Sequence, residues 1–185
     1  MGSARSWACE PGVHHRKEQD TTDDNEPGVV SVSRRIGAPA DAIFALLADP
    51  GRHTELDGTD MLRGVESGGP ITAVGDRFVM NMFFDHFGGD YKMDNHVVEF
   101  EPGKRIAWAP AAGDDKTGRA DAISEPVGHR WIFDLAPAGV DATVVTETYD
   151  CSQAPEQLQK VVQGGQHWRP AMEATLAKLE ELATA

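Results

Sequence analysis

The sequence predicts an α+β fold in which an antiparallel sheet packs against a long C-terminal helical segment. Apolar and polar residues alternate near residue 30 and in about six further runs between Met61 and Cys151, which is typical of half-buried strands. Short turns join these runs in chain order, which favours an antiparallel meander. An amphipathic helical segment follows from about Pro155 to the C-terminus and needs an apolar surface to cover.

Composition restricts the functions that the chain can have. Its 185 residues suffice for one domain with a substantial core. The net charge of -13 argues against a nucleic-acid partner and against docking on anionic membranes. No apolar run reaches transmembrane length and no secretory signal is recognisable, so we expect no membrane insertion. Cys9 and Cys151 form neither a disulfide framework nor a metal site, so we expect a cytoplasmic protein without a metal or other cofactor.

The chain is expected to divide into a disordered tail, residues 1–27, and a folded domain, residues 28–185. The tail contains Glu18–Pro27, which is almost entirely polar or acidic and has nothing to bury. The domain opens with a strand over residues 29–36, where valine and isoleucine alternate with serine and arginine.

A helix is expected after the first strand, because Pro39 and Asp41 suit a first helical turn. Its apolar face consists of Ile43, Phe44, Leu46 and Leu47. Asp49-Pro50-Gly51 ends this helix, and an irregular stretch is expected from there to Asp60.

Turn residues separate the strands of the meander. Gly- and Pro-rich turns are expected at Ser67–Pro70, Glu101–Lys104 and Pro137–Gly139, and a longer polar loop is expected at Ala112–Glu125.

The C-terminal helical segment is expected to break or bend between residues 164 and 170. Gly164-Gly165 lowers helix propensity, and Pro170 is best accommodated in the first turn of a second helix. Trp168, Met172 and Leu176 are then expected to face the sheet. The break could gate the entry of a ligand, or it could be a simple boundary between two helices.

Four pieces of sequence, taken in order, resemble the START/SRPBCC superfamily, whose helix-grip fold is that of the birch pollen allergen. They are residues 36–50, 74–78 and 97–108, followed by Trp168 and the apolar residues after it. The resemblance covers about residues 29–184 and is strongest to a bacterial branch described as polyketide cyclase/dehydrase and lipid-transport-like. It implies a curved sheet of six or seven strands that grips the C-terminal helix, with an apolar cavity between them. Many relatives carry a tryptophan after the first helix, whereas Gly51–Gly58 here has none, which leaves the packing of the cavity mouth open.

No local catalytic motif is present, so any site has to be assembled from several strands facing one cavity. Methionine and aromatic side chains of these strands and of the last helix could line such a cavity; core packing is the simpler interpretation for each one alone, whereas the set as a whole favours a cavity lining. The candidates for ligand binding are Met80, Met82, Phe84, Met93, Trp131, Phe133, Trp168 and Met172.

Acid–base chemistry would need polar groups among these apolar runs. The catalytic candidates are Tyr91, Asn95, Glu147 and His167, with Arg77 as an alternative cation. Asp85 and His86 could polarise a substrate at a cavity mouth, or they could form a solvated hairpin tip.

Two registers are open for the strand around Glu147. If Val145 and Tyr149 face inward, Glu147 is buried with them and must be paired or have a raised pKa. If Val144 and the two threonines that alternate with it face inward, Glu147 is solvated. We favour the second register, and a slip of one residue would exchange the two.

Three functions fit these observations. The first is binding of a small hydrophobic molecule, lipid- or polyketide-like, between the sheet and the C-terminal helix. The second is an enzyme, of the polyketide cyclase or dehydratase type. The third is an interaction module, co-chaperone-like or toxin-like, with a filled core and an exposed apolar patch. The sequence leaves the oligomeric state open, although edge strands could pair in a dimer.

Overall fold

Seven strands form one antiparallel sheet in the computed structural model, which describes residues 26–85, 88–112 and 125–185. The spatial order of the strands is β1-β7-β6-β5-β4-β3-β2. Their bounds are β1 (Val29–Ile36), β2 (Leu62–Ser67), β3 (Arg77–Phe84), β4 (Gly89–Glu101), β5 (Arg105–Ala112), β6 (Arg130–Pro137) and β7 (Thr143–Asp150). The α+β prediction and the curved sheet are confirmed. The expected tail up to residue 25, His86, and residues 113–124 of the expected polar loop lie outside the described residues.

Helices occupy two places in the chain order. Between β1 and β2 lie α1 (Ala40–Leu47), a 3-10 turn (Pro50–Arg52) and α2 (His53–Leu56). After β7 come α3 (Glu156–Val161), a second 3-10 turn (Gln163–Trp168) and α4 (Arg169–Ala183). The stretch expected to be irregular after α1 is therefore largely helical, and the Asp49 carboxylate caps its 3-10 turn by accepting a bond from the Gly51 N–H at 2.9 Å.

The core lies between α4 and one face of the sheet, called the inner face below. Met172, Leu176 and Leu179 are at most 1% exposed and share one side of α4, because they are four and three residues apart. This side packs mainly on β1. Burial of each such side chain contributes about 1.5 to 3 kcal/mol. Of the residues expected to face the sheet, Met172 and Leu176 are buried and Trp168 is half-buried.

Strand β7 turns its glutamate inward. Val145, Glu147 and Tyr149 are at most 3% exposed and lie on the inner face. The register favoured from the sequence, which solvated Glu147, is therefore wrong. The reason lies on the outer face, where the hydroxyls of Thr146 and Thr148 each bond a serine hydroxyl of β1 at 2.8 Å. Threonines there satisfy their polar groups and leave the larger Val145 and Tyr149 for the core.

The C-terminal segment breaks at the two glycines, as the sequence predicts. Gly164 and Gly165 have φ of 62° and 97°, values that side chains other than glycine rarely adopt. A Cβ on Gly165 would lie 3.0 Å from side-chain atoms of both Tyr149 and Val30. Pro170 lies in the first turn of α4, where its missing N–H is not needed. The backbone at Gly165 therefore rests directly on the inner face.

Replacing Gly165 by alanine is expected to lower the free energy of unfolding by about 2 to 4 kcal/mol, because backbone strain and steric overlap add. Gly164→Ala is the matched control, since its Cβ would have only the Gly28 nitrogen nearby, at 3.8 Å. It should cost only about 1 kcal/mol. Urea unfolding measures both variants. Equal costs would show that the contact of Gly165 with β1 and β7 is not tight.

Candidate functional site

An open cavity of about 570 Å³ lies where three segments of the chain meet. These segments are the loop after α2, the end of β3 and the junction of the second 3-10 turn with α4. The lining residues are Gly58, Thr59, Asp60, Met61, Arg63, Phe83, Phe84, Asp85, His167, Trp168, Pro170 and Ala171. The break in the C-terminal segment thus forms one wall of the cavity.

Trp168 supplies the aromatic wall of the cavity on the helix side. Its ring lies 6.0 Å from that of Trp131 and 6.2 Å from that of Tyr149, and those two rings are 4.6 Å apart. Such distances are typical of favourable aromatic contacts. The exposed imidazole of His167 lies edge-on to Trp168 at 4.9 Å. Trp168 is therefore held in place by side chains of β6 and β7.

Two phenylalanines at the end of β3 also line the cavity. Phe83 and Phe84 are half-buried at the end of β3, and the Arg63 guanidinium lies 5.5 Å from the ring centre of Phe83. This distance is within the range of a cation–π contact.

The Asp57 carboxylate fixes the loop wall of the cavity. Its Oδ1 accepts bonds from the Thr59 N–H at 2.8 Å and from the Thr59 hydroxyl at 2.5 Å. Its Oδ2 accepts bonds from the N–H groups of Met61 and Leu62, both at 2.8 Å. These bonds satisfy backbone donors of the loop that would otherwise be exposed or unpaired.

The same loop is attached to α4. The Gly58 N–H donates to the Thr175 hydroxyl at 3.1 Å, and Lys178 Nζ donates to the Asp57 backbone carbonyl at 2.5 Å. A Cβ on Gly58 would lie 2.0 Å from the carbonyl oxygen of Ala171, so only glycine fits here. The loop backbone therefore lies directly on the first turns of α4.

Glu147 is a buried acid on the inner face. It is 3% exposed, and its neighbours across the sheet are Val32 of β1 and Phe133 of β6. Its Oε2 is fully buried and has no hydrogen-bond partner among the residues that the structure describes. Burial, and then the negative charge of Asp57, raise the pKa of Glu147 well above its ordinary value. The carboxyl therefore favours its neutral form, in which it can donate a proton or a hydrogen bond.

Tyr91 faces the same interior region from β4. Burial and the charge of Asp57 raise the pKa of its hydroxyl to about 12. Asp57 thus adds to the raised pKa of both Tyr91 and Glu147. The two candidates share the inner face, but β5 and β6 lie between their strands in the sheet.

The other two catalytic candidates are placed elsewhere. Asn95 is 5% exposed on the inner face, but its amide donates to the backbone carbonyls of Phe78 and Met93 at 3.4 and 3.2 Å. His167 is exposed at the cavity rim, away from the buried Glu147. Arg77, the alternative cation, lies on the outer face and bonds Asp94.

Two of the eight candidates for ligand binding, Phe84 and Trp168, line the open cavity. The structure places Met80, Phe133 and Met172 in the packed core. The remaining three, which are half-buried, are Met82, Met93 and Trp131. Asp85 also lines the cavity, whereas its predicted partner His86 lies outside the described residues.

Sequence reasoning missed the role of His53 in α2. This histidine is 6% exposed, and its Nε2 donates to the Leu47 carbonyl at 2.8 Å. Its ring stacks on Trp108 at 5.2 Å and meets Phe78 edge-on at 5.4 Å. Burial lowers its pKa, which favours the neutral ring. An imidazole thus provides an aromatic contact in the stretch where the family resemblance led us to expect a tryptophan. The only signal in the sequence was a histidine in an otherwise polar segment.

The described residues include no group of three or more His, Cys, Asp or Glu side chains that could hold a metal ion. Across the same ranges, none of the helices has the length and hydropathy needed to cross a membrane.

Replacing Glu147 by glutamine is expected to stabilise the protein increasingly as the pH rises. In the unfolded chain Glu147 has a pKa near 4.5, so it loses its proton around that pH. The folded protein keeps this proton to a higher pH. The stability of the wild type therefore falls as the pH rises from that value toward the raised folded pKa, whereas glutamine has no proton to lose. Urea unfolding at several pH values from about 4 to about 8 measures the difference.

The control for this experiment is Glu173→Gln, which removes one exposed carboxylate from α4. A stability difference between Glu147→Gln and the wild type that does not change with pH would contradict the raised pKa.

Comparison with known proteins gives relatives of the whole domain. The uncharacterised protein Rv0088 of Mycobacterium tuberculosis H37Rv is 31% identical over 178 residues, which cover 92% of this chain and 72% of that protein. Protein MT0096 of M. tuberculosis CDC 1551, also uncharacterised, is 30% identical over 178 residues, which again cover 92% of this chain and 72% of that protein. No protein-family model matches the chain.

Solved structures with the same fold come from bacteria and plants. Protein Ms6760 from Mycobacterium smegmatis superposes with a TM-score of 0.62 at 16% identity, covering 85% of this chain and 92% of that one. A point mutant of norcoclaurine synthase from Thalictrum flavum, in complex with a transition-state analogue, superposes with a TM-score of 0.56 at 18% identity. The superposition covers 84% of this chain and 93% of that one. The chain belongs to the same family as the two M. tuberculosis proteins and has the helix-grip fold of the START/SRPBCC superfamily, which confirms the resemblance seen in the sequence.

Proposed function

We propose that the protein binds a small, largely hydrophobic molecule in the open cavity between the sheet and the C-terminal helix. One observation supports this most strongly: the aromatic residues Phe84 and Trp168, from two remote segments of the chain, both line a cavity of about 570 Å³. Small-molecule sites are typically apolar hollows of about 300 to 1,000 Å³ with a few polar groups. Here the polar groups come from the loop and the rim.

The fold neighbours agree with such a use. The norcoclaurine synthase structure holds a small molecule, a transition-state analogue, on the same fold. This fold can therefore accommodate a ligand, although function does not follow from fold alone. A lipid- or polyketide-like ligand and a cytoplasmic location remain predictions that rest on the sequence.

A second candidate function is that of an enzyme of the cyclase or dehydratase type. The observation in its favour is Glu147, a buried acid with a raised pKa and an Oε2 that no described residue bonds, on the same inner face as the phenol of Tyr91. A neutral carboxylic acid in an apolar setting can protonate a carbonyl or a leaving hydroxyl group, and a nearby phenol can stabilise the developing oxyanion. A ligand would have to extend from the cavity beneath the Asp57 loop to reach them.

The third possibility, an interaction module, has less support. The large apolar side chains that the described residues expose are Val65, Val74, Val127, Val140 and Val161. They lie on different strands, turns and helices. Nothing in the described part of the chain gathers them into one patch.

The cavity is expected to bind the neutral apolar dye Nile red, with an increase in fluorescence and a higher melting temperature by mass action. Phe84→Ala should weaken this binding about threefold to tenfold, because it removes one aromatic wall. Val140→Ala is the control, since Val140 is 94% exposed at the β6–β7 turn. Neither a fluorescence increase nor a melting shift, with Nile red or with a panel of lipids, sterols and polyketides, would contradict the proposal.

The enzyme candidate makes a separate prediction. With a polyketide-like ketone as substrate, Glu147→Gln and Tyr91→Phe should each abolish turnover but leave Nile red binding within about twofold of the wild type. This pattern would assign both side chains to chemistry rather than to binding. Turnover that survives both substitutions would remove them as catalytic residues.

A further inference from the structure

We infer that the cavity selects a ligand with a positively charged group, such as an amine on an apolar body, over a carboxylate of the same shape. This inference rests on the proposed function, because it names the class of molecule that the same cavity accepts. It follows from the charges around the cavity and from the aromatic side chains that line it.

The rim carries more negative than positive charge. Two carboxylates, Asp60 and Asp85, and one guanidinium, that of Arg63, line the cavity. Arg63 is already engaged, because its Nη1 donates to the backbone carbonyls of Asp60 and Leu62 at 2.9 and 3.0 Å. The same nitrogen lies 3.8 Å from the Asp60 carboxylate. An anionic ligand would have to displace these contacts to reach a cation of the lining.

The loop that forms one wall carries a further carboxylate, that of Asp57. The Asp57 carboxylate is held by backbone N–H groups and a hydroxyl, and no basic side chain pairs with it in the described ranges. Lys178 donates instead to the backbone carbonyl of Asp57. The Asp57 charge therefore favours a ligand cation near the loop over a ligand anion.

Aromatic walls add to the same preference. The ring faces of Trp168 and Phe84 attract an ammonium group and are neutral or unfavourable toward a carboxylate. The net charge of -13 also steers cations toward the protein over longer distances.

The test compares three probes that share a phenylpropyl body: 3-phenylpropylamine, 3-phenylpropan-1-ol and 3-phenylpropanoate. Displacement of Nile red from the full chain at neutral pH gives the affinity of each. We expect the amine to bind about threefold tighter than the alcohol and about tenfold tighter than the carboxylate. The preference should shrink as the salt concentration rises from about 20 to about 500 mM, because rim charges are screened.

Two variants locate the effect. Asp60→Asn and Asp85→Asn should each weaken amine binding about twofold to threefold and leave alcohol binding unchanged. Asparagine tolerates the positive φ of 57° at residue 60, so this variant should keep its fold. Asp141→Asn is the matched control, because it changes the net charge equally at an exposed position of the β6–β7 turn.

The results distinguish a failure of the cation preference from a failure of the proposed binding function. If the amine and the alcohol bind equally, or the carboxylate binds most tightly, the cation preference is overturned while the cavity remains a binding site. An equal effect of Asp141→Asn would also overturn it, because the preference would then come from net charge alone. If neither Nile red nor any of the three probes binds, the proposed function fails, and the inference fails with it.

Discussion

The contact of the Gly165 backbone with β1 and β7 is the constraint on which the rest of the structure depends. With φ of 97° and no side chain, Gly165 lets the chain rest on Val30 and Tyr149. A helix continued through this point would hold the backbone away from the sheet. The break instead places Trp168 against Trp131 and Tyr149 and lets α4 start along β1. The aromatic wall and the docking of the last helix thus follow from one close approach.

The second constraint is the Asp57 loop. Its carboxylate both holds one wall of the cavity in place and affects the pKa values of buried side chains. Its carboxylate organises the loop through backbone N–H groups, and Gly58 seats the loop on α4. Burial, and then the same negative charge, raise the pKa values of Tyr91 and Glu147. The acid that shapes one wall therefore also favours the neutral forms of two buried groups. Structure and polarity at this end of the fold cannot be changed independently.

Local patterns in the sequence were enough to predict the fold but not the site. Alternation, turn residues and the Gly-Gly break gave the strands and the divided C-terminal segment, because these depend on neighbours in the chain. The register at Glu147 depends on serine hydroxyls of β1, more than 100 residues away in sequence, so the pattern of β7 alone could not decide it.

The cavity wall comes from three remote segments, and His53 belongs to no recognised motif. Phe84 and Trp168, which were expected to bind ligand, do line the cavity.

The central claim is that ligands bind between the Asp57 loop, the end of β3 and the start of α4. Chemical-shift mapping tests it most directly, by following backbone amides in ¹H–¹⁵N spectra during titration with 3-phenylpropylamine. We expect the largest shifts in three segments, Gly58–Arg63, Phe83–Asp85 and His167–Ala171. Shifts confined to the outer face, for example around Arg105 and Arg130, with none in these three segments, would contradict the claim.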